Sequence, residues 1–263
     1  MKRFIKLFLH YFKINLAREM GYRSNFFVWT LVNLGWLLVT LIFFDILYGH
    51  TNLVGGWNIN QVLVLLGVHN LIQSVLYSAF YSNFGELIRM INKGQLDLIL
   101  LKPVSSQFLA SINRFNLNNS LSGLLFSPIL IVTGLMRQGL SVSLGQVFIF
   151  IALLAGGVIV CYSLWFMIVC MTFYTDRLSN ANHLFTHLID FADKPGNIYY
   201  GLIGYFLWIF FPVVAIVTTP ARVLLKIFSW NWILYIFVFA ILSLWLSHKF
   251  WNFSLKRYSG ASI

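Results

Sequence analysis

Six long runs of apolar residues, separated by polar connections, determine what this chain can fold into. They cover roughly residues 26–47, 59–82, 117–135, 144–173, 198–218 and 227–248. An α-helix needs about 20 such residues to cross the ~30 Å hydrocarbon core of a bilayer. Only 10% of the residues are charged, whereas soluble domains carry about 25%. The sequence therefore predicts an all-α, polytopic membrane protein with six transmembrane helices.

The distribution of lysine and arginine predicts how these helices are oriented. Of the 18 basic residues, 15 lie in the N-terminal segment, the second and fourth connections and the C-terminal tail. The other three are Arg137, Arg222 and Lys226. Positively charged loops stay on the cytoplasmic side, so both termini are predicted to be cytoplasmic. The net charge of +11 then favours contact with the lipid bilayer, and no pattern indicates nucleic-acid binding.

Two regions are predicted within the chain. Residues 1–24 alternate apolar Phe4, Phe8 and Phe12 with basic Lys6 and Lys13 at helical spacing, which predicts an interfacial amphipathic helix on the cytoplasmic face. Residues 25–263 form the six-span domain. It contains a polar insert at 84–103 and a possible re-entrant region at 195–226.

The fifth span allows two interpretations. Residues 198–218 are uncharged, but prolines and glycines interrupt the surrounding stretch, at Pro195, Gly196, Gly201, Gly204, Pro212 and Pro220. Broken backbone at membrane depth needs protein or water to cover it. Either residues 198–218 cross the membrane, or they are re-entrant and the amphipathic helix 176–194 is the fifth span. Both interpretations keep six crossings.

Polar side chains inside the apolar runs are the candidate substrate path. Asn33 lies in the first run, and His69, Asn70 and Gln73 lie in the second, where they continue a polar face at helical spacing. Such residues are costly in a membrane and mark functional positions. The alternative interpretation is that they only form hydrogen bonds between helices.

Chemical motifs for catalysis are missing from the sequence. It has no phosphate-binding loop and no nucleophile elbow, so we expect no enzymatic activity, no catalytic residue and no cofactor bound by this chain. His183, His187 and Asp190 have a spacing that suits a metal, but Leu184 follows His183 where zinc proteases have glutamate. We therefore predict no metal site.

The insert at 84–103 has the pattern of a docking element. Residues 84–93 predict a short amphipathic helix, with Leu87 on its apolar face and Glu86, Arg89 and Lys93 on its charged face. Gly94 is predicted to be its C-cap. Asp97 is predicted to cap a following turn, and Pro103 to start the helix that enters the third span. The alternative is an ordinary positively charged inner loop.

The run I-x-x-G-x-L-D-x-x-L-x-K-P, from Ile91 to Pro103, carries a resemblance to a known family. Together with the basic N-terminal helix, the six spans, the proline-punctuated 195–220 stretch and the tail Arg257-Tyr258-Ser259, it resembles a type-2 ABC export permease. It is similar to the bacterial branch of about 260 residues with six spans. One departure is the crowding of Asp190, Asp193 and Lys194 before the proline break.

This resemblance implies specific partners and contacts. The insert would be a coupling helix seated on a separate ATP-binding cassette subunit, which binds ATP and Mg²⁺. The implied contact residues are Glu86, Leu87, Arg89, Met90, Lys93, Gly94 and Asp97. A second permease would complete a homodimer or a heterodimer in the bacterial plasma membrane. The segment before the last span would form outward-facing re-entrant helices.

Three functions are therefore considered for the chain. The first is the permease of an ATP-driven exporter, and the second is an ATP-independent membrane scaffold or assembly factor. The third is a secondary transporter, which normally keeps an acidic residue at mid-bilayer. No apolar run has one at its centre, since Asp45 lies near the outer end of the first run; this weighs against the third function.

Overall fold

The computed structural model describes residues 13–15, 23–116, 118–175 and 180–258, which form helices and connecting turns without a β-strand. The predicted interfacial helix of residues 1–24 falls mostly outside the described residues. Within it, residues 13–15 are helical, and the Asn15 amide donates to the Asn113 carbonyl at 3.3 Å.

The α-helices are numbered here in chain order. They are α1 (Arg23–His50), α2 (Ile59–Leu76), α3 (Ser82–Asn92), α4 (Asp97–Leu100), α5 (Ser106–Ile112), α6 (Asn118–Arg137), α7 (Leu144–Cys170), α8 (Ala181–Asp190), α9 (Gly201–Tyr205), α10 (Val213–Leu224) and α11 (Trp230–Leu255). Two π-helical segments, Tyr77–Tyr81 and Phe206–Phe210, and three 3₁₀ turns, Met171–Phe173, Phe191–Asp193 and Gly196–Ile198, complete the described helical structure.

Four of the described helices are long and apolar enough to cross a membrane, and they are Phe27–His50, Ile59–Asn92, Leu144–Phe173 and Trp230–Leu255. A fifth is added if Gly201–Phe210 and Val213–Leu224 count as one broken span. The third predicted run forms α6. Its apolar part, Gly123–Arg137, is shorter than the four candidate spans. The prediction of an all-helical membrane protein is thus confirmed with four to five candidate spans.

Glycines let α2 and α6 pack at short range. A Cβ atom on Gly67 of α2 would lie 2.6 Å from Ile131 Cγ1 and 2.9 Å from the Ser127 carbonyl. A Cβ on Gly134 of α6 would lie 2.7 Å from the Asn60 carbonyl. Because lipid tails are as apolar as the side chains, membrane helices associate through such close contacts between small residues. These glycines therefore hold α2 and α6 together.

Two ends of the bundle are distinguished by the connections that meet there. The loop end comprises residues 51–58, 138–143 and 225–229, and the Gln138 amide donates to Asn58 Oδ1 there at 2.7 Å. The insert end comprises residues 93–105, 171–175 and 256–258. There the Tyr258 hydroxyl accepts from the Leu96 amide at 3.0 Å. Each long helix runs from one end to the other.

The segment after α8 does not form the continuous fifth span that hydropathy favours. Gly201–Phe210 and α10 meet at an angle of 75°, next to Pro212, which has no amide hydrogen to continue a helix. Just before α9, the Asn197 amide donates to the Gly55 carbonyl at 3.0 Å. At the end of α10, the Val223 carbonyl accepts from Gln146 at 3.1 Å. Both ends of the bent pair therefore lie at the loop end.

α8 and the turns after it connect the two ends of the bundle instead. At its start, the Asn182 amide donates to the Tyr81 carbonyl at 3.2 Å. Tyr81 lies 22 residues after Ile59, about 33 Å along the helix from the loop end. Asn197 then reaches Gly55 at the loop end. This path agrees with the second interpretation of the fifth span.

The insert differs from its prediction in three details. Its amphipathic helix is α3, which continues α2 through the π segment as one helix from Ile59 to Asn92. Asp97 does not cap α4, because Leu96 is the N-cap and Asp97 is the first helical residue. Pro103 lies in a bend before α5 rather than in a helix; the pattern could not show that α5 is separate from α6.

Candidate docking surface and central cavity

Lys93 is the C-cap of α3, and Gly94, which was predicted to be the C-cap, is the next residue and turns the chain into the insert. Its φ of +64° lies in the left-handed region that favours glycine. The Gln95 amide donates to the Met90 carbonyl at 2.8 Å. This is the 6→1 hydrogen bond that characterises a Schellman motif. Buried Leu96 then directs α4 back against the bundle.

The exposed residues of the insert form a surface at the insert end, which we call the docking surface. It comprises Arg89, Lys93, Asp97, Leu98 and Leu101. Leu98 and Leu101 are 65% and 85% exposed. The sequence pattern did not identify either leucine as a contact residue. A surface that combines charges with two exposed leucines is suited to bind a protein partner.

Four other predicted contact residues are placed differently. Leu87 is only 1% exposed, so it supports α3 from inside and does not belong to the docking surface. Glu86 is largely buried and forms ion pairs with Arg89 and, at 3.7 Å, with Arg114. Met90 and Gly94 are partly exposed beside the surface. The coupling role of all seven residues stays a prediction.

Polar contacts brace the docking surface against the long helices. Asn83 bonds to the backbone of Arg114 in both directions, at 2.7 Å and 2.8 Å. The Ser106 hydroxyl accepts from the Trp251 indole of α11 at 3.1 Å. Gln107 Oε1 accepts a hydrogen bond from His248 Nδ1 of α11 at 2.8 Å. These contacts connect the segment after the insert to α3 and to α11.

The four predicted path residues line one cavity of about 570 Å³, which we call the central cavity. Asn33 and Thr40 of α1, Gln73 of α2, Phe126 of α6 and Asp190 of α8 contribute to its walls, with His69, Asn70, Ser74 and Tyr77. Asn33 and His69 each lie ten residues from a helix end, about 15 Å along the axis. The cavity thus lies near mid-depth, where the structure brings the predicted residues together.

An acidic side chain missed by the sequence analysis reaches this cavity. The Gln73 amide donates to Asp190 Oδ1 at 3.2 Å, and His187 Nδ1 lies 3.9 Å from Asp190 Oδ2. Asp193 also lines the cavity, where it pairs with Lys194 at 2.6 Å. The observation that no apolar run has an acidic residue at its centre still holds, because Asp190 ends a separate amphipathic helix outside those runs. It therefore no longer weighs against a secondary transporter.

The His183, His187 and Asp190 pattern on α8, for which no metal site was predicted, is only partly assembled. His187 and Asp190 approach each other, and both side chains are well exposed. Within the described ranges, no three His, Cys, Asp or Glu side chains are close enough to hold a metal ion. The spacing instead places Asp190 on the face of α8 that lines the central cavity.

Comparison with protein families decides the class of this chain. A family model described as ABC-2 family transporter protein matches residues 34–262. The chain belongs to this family. Curated proteins and solved structures give no match. The match of this ABC-2 family transporter protein covers α2 to α11. It includes the docking surface and the lining of the central cavity except Asn33. The chain is therefore an integral membrane protein and a transport permease.

Proposed function

We propose that this chain is the membrane-spanning permease subunit of an ATP-driven exporter in the bacterial plasma membrane. ATP would be hydrolysed by separate ATP-binding cassette subunits, which ABC-2 family permeases normally have as partners. A second permease, identical or related, would complete the dimer. The docking surface is the observation that carries this proposal, because it combines exposed charges and leucines with rigid connections to the long helices.

The proposed orientation puts the insert end in the cytoplasm. With α8 as the fifth crossing, four basic residues fall on the side of the loop end, namely Arg137, Lys194, Arg222 and Lys226. The other fourteen, among them Arg89, Lys93 and Lys102, fall on the opposite side. The positive-inside rule favours this arrangement. Six crossings would be made by α1, α2–α3, α6, α7, α8 with its following turns, and α11. The bent pair would then be re-entrant from outside.

The mechanism would use the continuous helix from Ile59 to Asn92. Its cytoplasmic end carries Arg89 on the docking surface, and its middle carries His69 and Gln73 in the central cavity. Nucleotide-driven closure of the ATPase subunits would move α3 and, with it, α2. Movement of α2 would change the access to the cavity.

The test is co-purification in detergent with identification of the bound chains. We expect an ATP-binding cassette subunit to co-purify with the permease and to lose binding when Arg89→Glu and Lys93→Glu are combined. Lys226→Glu at the loop end is the matched control and should retain the partner. The proposal fails if no ATPase subunit co-purifies, or if both variants retain it equally.

A secondary transporter is a second candidate, because Asp190 lies in the central cavity as ion-coupled carriers require. Transport into sealed vesicles separates the two functions. An exporter requires ATP and the cassette subunit, whereas a carrier transports with the permease alone when an ion gradient is imposed. A scaffold would support transport under neither condition.

A further inference from the structure

We propose that the central cavity binds an amphiphilic organic cation, with the charged group against Asp190 and the apolar part beside α1. The proposal rests on the permease function, since it names the class of molecule that the permease would carry. A volume of about 570 Å³ is within the usual range for small-molecule sites, about 300–1,000 Å³.

The charge of the ligand follows from the partners of the two carboxylates. Asp193 is paired with the Lys194 ammonium at 2.6 Å. Asp190 accepts from the neutral Gln73 amide, and the nearest basic group among the described residues is the exposed His187 ring at 3.9 Å. Near mid-depth, a carboxylate without a strong cation partner attracts a positively charged ligand.

A neutral polar group on the cavity wall also lacks a partner. Asn33 Nδ2 is buried without a hydrogen-bond partner in the described part of the chain. Buried polar groups are normally hydrogen-bonded. Because Asn33 lines the cavity from α1, a ligand with a hydrogen-bond acceptor of its own would satisfy this amide.

The apolar part of the ligand follows from the wall that α1 forms. Few α1 residues are fully buried within the described structure, and Trp36, which lines the cavity, is 69% exposed. The cavity therefore adjoins the region that lipid tails occupy. Trp36, Tyr77 and Phe126 provide aromatic rings, which attract cations and pack against apolar groups. A cation with an apolar frame matches this lining.

Berberine, an aromatic cation with ether oxygens, is a suitable probe. It would be titrated by fluorescence against the full-length permease in lipid nanodiscs without any ATPase subunit. We expect saturable binding above empty nanodiscs. The anion 1-anilinonaphthalene-8-sulfonate should not displace berberine, since Asp190 repels it.

Matched variants connect the binding to the cavity. Asp190→Asn should weaken binding at least about tenfold because it removes the counter-charge, while Asp190→Glu should remain close to the wild type. Asp45→Asn, on α1 but outside the cavity lining, is the control and should bind normally. Thr40→Trp keeps the charge and fills the cavity, so it should abolish binding. This variant decides the question if Asp190→Asn does not fold.

The proposal is overturned if berberine does not bind, if the anion displaces it, or if both Asp190→Asn and Thr40→Trp bind like the wild type. Failure of the proposed function is detected separately. If the permease co-purifies with an ATPase subunit but does not bind berberine, only the proposed ligand class is contradicted. A permease that binds berberine without an ATPase partner contradicts only the exporter.

Discussion

At the scale of single residues, Gly94 determines where the docking surface begins. A side chain at φ +64° brings Cβ close to the following carbonyl oxygen, which costs about 1–2 kcal/mol. β-Branched residues tolerate this conformation least. The direction in which α4 leaves α3 therefore depends on the absence of a side chain at this position.

Gly94→Val is predicted to weaken binding of the ATPase subunit while insertion in the membrane remains normal. Gly139→Val is the matched control, because Gly139 has φ +66° at the loop end with open space around it. Both variants should lose a similar amount of thermal stability, about 1–2 kcal/mol, but only Gly94→Val should lose the partner in co-purification. Equal partner binding by the two variants would contradict a docking role for the insert.

The single residues also show which parts of the site could be predicted from sequence. His69 and Gln73 share a face of one helix, so their spacing alone predicted that they would lie together. Asp190 is 117 positions from Gln73, and only the packing of α8 on α2 brings the two into contact. The resemblance implied Leu87 as a contact residue, but the sequence pattern could not show that this side chain is fully buried.

At the scale of elements, the π segment Tyr77–Tyr81 joins the cavity helix α2 to the docking helix α3. A π turn holds more residues than an α turn. Residues after it are therefore rotated about the helix axis relative to the residues before it. Hydrophobic periodicity identified both α2 and α3. It could not show that they form one helix, because the period changes between them.

Removal of the contact between α8 and this junction should destabilise the permease. Asn182 is buried, accepts from the Trp165 indole at 3.0 Å and donates to the Tyr81 carbonyl at 3.2 Å. Asn182→Ala should cost about 1–3 kcal/mol for each group left unpaired. Asn180→Ala, an exposed neighbour without a side-chain cap bond, should be nearly neutral. Thermal unfolding in detergent measures both, and equal stability of the variants would contradict this anchor.

The packing of α2 on α6 should be equally sensitive to a single methyl group. Gly67→Ala would place Cβ 2.6 Å from Ile131 Cγ1, and such overpacking typically costs about 1–3 kcal/mol. Gly35→Ala in α1 is the control, because nothing lies within 4 Å of its Cβ position. We expect a lower melting temperature for Gly67→Ala than for Gly35→Ala, and unchanged melting of Gly67→Ala would disprove the close approach of the helices.

At the scale of the whole molecule, the sequence divides its basic residues unequally between the two sides that the apolar runs predict. This separation was readable from sequence because it depends only on the order of apolar runs and charges. The course of residues 180–224 was not, because an uncharged run resembles a span whether it crosses the bilayer or bends back. Contacts at Gly55 and Val223, far apart in sequence, show that both ends of the bent pair lie at one end.

Cysteine labelling tests the whole topology and the bent pair together. In a background with Cys161→Ala and Cys170→Ala, cysteines at Asn52 and Gln138 should react with an impermeant reagent in intact cells. Cysteines at Lys93 and Arg257 should react only after permeabilisation, since the insert end is proposed to be cytoplasmic. The decisive position is Tyr200, which is 87% exposed just before α9.

A cysteine at Tyr200 is predicted to react from outside, together with one at Lys226, because a re-entrant pair starts and ends on the same side. If residues 198–218 crossed the membrane instead, Tyr200 would face the cytoplasm and only Lys226 would react from outside. Labelling of Tyr200 only after permeabilisation would therefore contradict the re-entrant arrangement and α8 as the fifth crossing. It would also remove Asp190 from mid-depth, and with it the counter-charge proposed for a cationic ligand.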